Sequence, residues 1–309
     1  MKPFGLSKKQ LRTFSDPLLE YLPASFSPEA VSDSEYEDLE SLAQLASQSV
    51  VSERIERLGV ELPVDVMTER LLFNDGDRAV VSGIRFLNLD LKFPFVALKA
   101  NFRINEPETI RLLKSLVMKT YGESDPMGFT VWEQPGLDLG QTEIWSIVIA
   151  GETAITPVTV PDKLELRWPS SIEDIFPELK AEYEQWAFSN REVSRFTQLE
   201  SQSSLEAAAS KGQLMCVYDS QGFAGLVAGR SSPLFGQEAL YMIELFLVKR
   251  LRFQGLGKML ESQFIAKLSQ DFDVVWGHIN RQNMPSLQTA LSLGRMPLQQ
   301  EYFFTLSAD

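Results

Sequence analysis

Apolar positions in the first 70 residues recur at helical spacing. In SPEAVSDSEYEDLESLAQLASQ, Leu39, Leu42 and Leu45 follow serine caps and an acidic opening, which predicts a helix. ERIERLGVELP predicts a shorter helix, ended by Gly59 and followed by Pro63. From about residue 71 the period changes. LLFNDGDRAVVSGIRFL places Asn74-Asp75-Gly76 between β-rich runs, a hairpin signal, and FVALKANFRI alternates apolar and polar positions as a strand does. NEPETIRLLKSLVMKTYGE predicts a helix with Asn105 as N-cap, Pro107 in its first turn and Gly122 near its end. GFTVWE and EIWSIVIAG predict further strands.

The stretch GETAITPVTVPDK carries prolines and threonines without a period and reads as a linker. Regular pattern then resumes. KLELRWP is a strand; SIEDIFPELKAEYEQWAF and SSLEAAASKG are helices; QLMCVYDSQGFAGLVAGR is two strands around a Ser220-Gln221-Gly222 turn. ALYMIELFLV is a longer strand, GLGKMLESQFIAKL a helix, DVVWGHI a strand, PSLQTALSLG a helix and EYFFTL a closing strand. Such an order specifies an α/β protein of the α+β kind, a mixed sheet with helices on its faces. The predicted organisation is a helical segment over 1–70 that packs on the first domain, an α+β domain over 71–155, and a second over 163–309.

Composition narrows what such a chain can do. Its 309 residues, 44% hydrophobic, suffice for two ordinary cores. No apolar run approaches the ~20 residues of a membrane helix, so no membrane is expected as partner. MKPFGLSKKQLRTF has no apolar stretch behind its basic residues, so it does not read as a secretory signal, and the expected location is cytoplasmic. A net charge of −13 argues against a nucleic-acid partner, since phosphate binding needs lysine and arginine in excess. The same charge suits cationic amine substrates, although a solvated acidic surface accounts for it more simply. A single cysteine and a single histidine exclude an intramolecular disulfide and any zinc site built from several such ligands. Cys216, in the apolar run QLMCVYD, is expected to be a buried thiol.

The chemistry concentrates in Arg252-Phe253-Gln254-Gly255-Leu256-Gly257-Lys258, between a strand and a helix. Gly255 and Gly257 allow close backbone approach, and the helix behind them directs N–H groups and its positive dipole end at the loop. This is an anion site suited to a pyrophosphate. Lys249, Arg250, Arg252 and Lys258 reverse the prevailing charge within ten residues. A Walker loop requires glycine where Arg252 stands and Ser or Thr where Met259 stands, and a dinucleotide fingerprint requires glycine at Leu260.

A strand followed by R/Q-x-x-G-x-G/A at a helix start resembles the acyl-CoA motif of the GNAT N-acyltransferases, with Arg252, Gly255 and Gly257 in the motif positions. Asn283-Met284-Pro285-Ser286, then Ala290 and Gly294-Arg295, resemble the family's next helix, so the likeness covers about 163–309. It implies an acyl-CoA, with acetyl-CoA the first candidate, as co-substrate and no metal. It also implies direct acyl transfer to a primary amine on a small molecule or peptide. The implied cofactor contacts are Leu247, Val248, Arg252, Phe253, Gln254, Gly255, Leu256, Gly257, Lys258, Asn283 and Ser286, with pantetheine in a splay between the strands Leu240–Val248 and Asp273–Ile279. Two departures stand out: Ala290 replaces the family's frequent tyrosine acid, and Arg295 replaces the aromatic after Gly294. Glu244 serves either as catalytic base or as a hydrogen-bonded structural acid. His278, with an ordinary pKa near neutrality, is the second catalytic candidate beside a structural role. Trp276 and Tyr302 read as core or pocket wall. A non-catalytic sensor or interaction protein that binds acyl-CoA without turnover is the alternative. In the first half, strand, loop, helix and strand recur, but Arg103-Ile104-Asn105-Glu106-Pro107-Glu108 has no glycine and two acids, as a degenerate GNAT-like unit would; an unrelated α+β domain is the alternative reading.

Overall fold

The computed structural model describes residues 3–59, 62–140, 142–194 and 197–306. Along the chain come α1 (Lys8–Arg12), α2 (Asp16–Leu19), α3 (Pro28–Leu45), α4 (Gln48–Leu58), α5 (Val64–Met67), β1 (Arg70–Asn74), β2 (Ala79–Phe86), β3 (Pro94–Ala100), α6 (Pro107–Tyr121), β4 (Gly128–Glu133) and β5 (Glu143–Glu152). The second half adds β6 (Glu165–Arg167), α7 (Phe176–Ser189), α8 (Arg191–Ser194), α9 (Gln202–Ser210), β7 (Leu214–Asp219), β8 (Gly222–Ser231), β9 (Leu240–Leu247), α10 (Leu256–Leu268), β10 (Val274–Asn280), α11 (Met284–Ser292) and β11 (Met296–Thr305).

Local chemistry explains the boundaries. Ser27 caps α3 by accepting the Ala30 N–H, and Gly59 closes α4 in the left-handed conformation at φ 64°. One expected cap moves. α6 is capped by Glu106, not Asn105, because the residue before a proline is forced into extended backbone and Pro107 then takes the first helical position.

The chain divides into two units, Met1–Trp145 with Gln299–Asp309, and Ser146–Leu298. The first unit's sheet runs β1-β2-β3-β4-β11, antiparallel except for the parallel pair β3/β4. The second runs β6-β7-β8-β9-β10-β5, antiparallel except for the parallel pair β9/β10. Apart from the edge strand β6, the two units therefore repeat one pattern of pairings. Each parallel pair is joined by a helix, α6 in one case and α10 in the other, as a parallel crossover requires. Strand β11 completes the first unit's sheet and most of β5 lies in the second.

In the first unit, Leu113 and Val117 of α6 pack on Val96, Phe129, Tyr302 and Phe304, which makes Tyr302 a core residue. A separate cluster holds the N-terminal segment, Leu11, Phe14 and Leu39 against Ala79 and Val81. In the second, Met259, Leu260 and Phe264 of α10 pack on β7–β9, with Leu205 and Ala208 of α9 in the same cluster. Each buried Val, Leu, Met or Phe side chain among these contributes about 1.5–3 kcal/mol. Cys216 is buried there, and burial pushes its thiol up to about 12, which makes it inert as a nucleophile at neutral pH.

Candidate functional site

The site belongs to the second unit and starts from a break in its sheet. β9 pairs with β10 only at Leu240↔Val275 and Tyr241↔Trp276; beyond those positions the parallel strands part. β8 still holds β9 from the other side, and Val248 donates to the Ala224 carbonyl at 3.0 Å. Antiparallel alternation then turns the backbone groups of Leu245 and Leu247 toward the open side. The expected splay between these two strands is thus in place.

At the end of β9 a short 3-10 turn, Lys249–Leu251, leads into the loop. Leu251 and Leu256 are buried on either side and anchor it, while Phe253 between them is 96% exposed. Phe253 at φ 61° and Gly255 at φ 75° are both left-handed. Glycine adopts this conformation freely, whereas an L side chain does so at a cost of about 1–2 kcal/mol. Among the described residues, the N–H groups of Phe253, Gln254, Gly255, Leu256, Gly257 and Lys258 make no hydrogen bond. The helical ladder begins only at Met259, which donates to the Gly255 carbonyl at 3.3 Å. A run of free donors at a helix start is an anion cradle.

The basic residues divide into two kinds. Arg250 pairs with Asp219 at 2.9 Å and donates to the Phe223 carbonyl at 2.8 Å. Arg252 donates through Nε to the Leu247 carbonyl at 2.6 Å and lies 4.9 Å over the Phe246 ring. Both therefore brace the loop in place. Gln254 does likewise, donating to the Arg250 carbonyl at 2.8 Å. Lys249 and Lys258 remain exposed as the cations able to meet a ligand. Asn283 accepts the Ser286 N–H at 3.4 Å and so caps α11, which gives both residues a structural task.

On β9 a register shift sets Gly229 opposite Met242 and Ala228 opposite Glu244, leaving Ile243 as an extra residue. Residues directly opposite share a face, so Met242 and Glu244 stand on opposite faces. The bulge thereby places Glu244 on the face of Tyr241 and of its paired Trp276. His278, two residues after Trp276, shares that face too. Glu244 accepts the N–H groups of Glu200 and Leu245, both at 3.2 Å, and burial pushes its carboxyl up to about 7 against those bonds. His278 Nδ1 lies 3.3 Å from the Tyr241 hydroxyl, its ring 5.3 Å from that of Trp276, and desolvation lowers its pKa. Trp276 is fixed by donating to the Ser232 carbonyl at 3.0 Å. Ala290, buried, offers no hydroxyl. Sequence reasoning missed Tyr241 and Glu200, since Glu244 shares a face with Tyr241 only because of the bulge.

No family model matches the sequence, and no curated protein does. Solved structures are similar. A GCN5-related N-acetyltransferase from Sphaerobacter thermophilus, 13% identical, covers 85% of this chain and 90% of its own at a TM-score of 0.50. The chain has the GNAT acetyltransferase fold. A GCN5-related N-acetyltransferase from Kribbella flavida is 10% identical over 84% of this chain and 96% of its own, with a TM-score of 0.45. A tandem GNAT protein from the clavulanic acid biosynthesis pathway is 12% identical over 98% and 95%, with a TM-score of 0.44.

The first unit, which repeats the strand pairings of the second, differs at the matching loop. Glu133, buried at the end of β4, accepts the Ile104 N–H at 2.6 Å and Arg103 Nε at 2.7 Å. A carboxylate of the chain itself thus takes the donors at the head of that loop. Among the described residues no group of three or more His, Cys, Asp or Glu side chains could hold a metal ion. No helix among them is long and apolar enough to cross a membrane.

Proposed function

We propose that the chain is an acyl-CoA-dependent N-acyltransferase, acetyl-CoA being the first candidate donor, that acts on the primary amine of a small molecule or peptide. The observation that carries this reading is the run of unbonded N–H groups from Phe253 to Lys258, opening beside the parted strands β9 and β10. Those amides would hold a pyrophosphate, with Lys249 and Lys258 adding charge. The Leu245 carbonyl and the Leu247 N–H would pair with the pantetheine amides along the open edge of β9, since Glu244 takes the Leu245 N–H and Arg252 the Leu247 carbonyl. The bound thioester supplies an activated acyl carbon.

Glu244 would take the proton that the amine loses as its nitrogen bonds to that carbon, the carbon–sulfur bond breaks and CoA departs as its thiolate. With a carboxyl near 7, it is about half ionised at neutral pH and able to act as base. His278, its pKa lowered and its Nδ1 beside Tyr241, offers a second proton site on the same face. Calorimetric titration with acetyl-CoA should show one site of micromolar affinity. The absence of heat at high micromolar concentration would sink the proposal. Gly255→Asp should weaken that binding at least tenfold, because it sets bulk and negative charge beside the cradle and strains a left-handed position.

A second reading rests on Ala290, the buried alanine where the family's frequent acid is missing. Under it the chain binds acyl-CoA and never turns it over. Thiol release measured across a panel of amines separates the two, since a sensor liberates no CoA with any of them.

A further inference from the structure

Phe253 has no evident part in holding the fold together. Its ring is 96% exposed, while Leu251 and Leu256 on either side are buried and supply the loop's packing. Arg252 and Gln254 supply its polar braces. Its backbone sits at φ 61°, a conformation that Asn, Asp or Gly would adopt with less strain. The loop thus carries an aromatic side chain where folding favours a small polar one, and that conformation holds the ring out in solvent. Strain and an idle aromatic together point to a ligand that uses the ring.

The neighbouring groups say what kind. The free N–H run begins at Phe253 itself and its ring is exposed, so the ring stands in solvent beside the anion cradle. A ligand whose phosphates occupy the cradle has two ends. One enters the splay between β9 and β10; the other leaves past Phe253 into solvent. A flat, electron-poor nucleobase leaving on that side would stack on the exposed phenyl ring, and stacking requires no donor or acceptor on the ring.

We infer that Phe253 is the stacking platform for the purine base of a nucleotide-bearing ligand, the adenine of acyl-CoA on the reading proposed above, on which this inference rests. The left-handed backbone at 253 is retained because it aims the ring outward.

Calorimetry with ligands that divide the molecule tests this. CoA carries both ends, 4′-phosphopantetheine lacks the adenosine, and adenosine 3′,5′-bisphosphate carries the nucleotide alone. Phe253→Asn keeps a residue that tolerates positive φ and removes the ring. It should weaken CoA and adenosine 3′,5′-bisphosphate about 5- to 150-fold, the span set by one base–aromatic stack, and leave 4′-phosphopantetheine unchanged. Phe253→Trp should hold CoA at least as tightly as the parent. Thermal unfolding of Phe253→Asn should shift upward, as relief of strain at an unpacked site requires. Equal losses on CoA and on 4′-phosphopantetheine would overturn the assignment by showing that the side chain acts through loop conformation. Unchanged CoA binding would overturn it by showing the ring idle. A parent chain that takes up neither CoA nor 4′-phosphopantetheine overturns the acyl-CoA reading, and the stacking assignment falls with it.

Discussion

Arg295→Ala is expected to cost about 3–5 kcal/mol of stability, because it strands a buried carboxylate. Arg295 and Glu261 are 3% and 2% exposed and form an ion pair through Nη2 and Oε1. Burial pushes the Glu261 carboxyl up, while the Arg295 guanidinium opposes that shift. With the arginine gone, ionised Glu261 would have no counter-charge, and the folded state would resist its ionisation more strongly still. The loss should therefore be largest near pH 8 and shrink as pH falls toward the ordinary carboxylate range, where Glu261 is neutral folded and unfolded alike.

The pair itself is not expected to be strongly stabilising. Glu261 Oε2 and Arg295 Nε are buried without a partner among the described residues, so part of the desolvation cost is not recovered. Glu261→Leu combined with Arg295→Met should consequently come within about 1 kcal/mol of the parent or exceed it. Denaturant unfolding of the single and double variants forms the test. A single variant that loses less than 1 kcal/mol would show that Glu261 finds relief elsewhere.

This pair also shows where sequence reading stops. Arg295 after Gly294 stands out as a departure from the family pattern, but its partner lies 34 residues earlier on α10, and spacing cannot pair them. The loop from Arg252 to Lys258 was legible because glycine spacing, strand-to-helix order and charge are local properties. The direction of Arg250 was not, since Asp219, its partner, lies 31 residues away. Periodicity likewise located the strand at Leu240–Leu247, yet the extra residue at Ile243 is a register event that only the neighbouring strand defines. The strand EYFFTL was evident from its alternation. Its place in the first unit's sheet was not, because alternation does not name the strand it will pair with.

That register event is what gives Glu244 its chemistry, and Glu244→Gln is expected to lower kcat/KM about 10²- to 10⁴-fold, the range of a lost general base. The reasoning runs through protonation. Burial sets the carboxyl at about 7, so the base is disabled below that pH and available above it, and kcat/KM of the parent should rise with pH through about 7. Glutamine cannot ionise, so the limb should disappear along with the rate. The fold should tolerate the change at a cost of about one hydrogen bond, because the N–H groups of Glu200 and Leu245 meet different carboxylate oxygens and the single amide oxygen can accept only one of them. Stability depends on pH in the opposite sense to the rate. A carboxyl raised in the folded state stabilises below its unfolded value of about 4.5 and loses that contribution as pH rises through about 7. The stability deficit of Glu244→Gln against the parent should therefore shrink as pH rises from about 5 to about 8. Acetyl-CoA binding should be unaffected, because Glu244 lies outside the cradle. A variant that keeps both the rate and the pH limb would assign Glu244 to bracing the Glu200 backbone, and would move the base to the Tyr241–His278 pair on the same face.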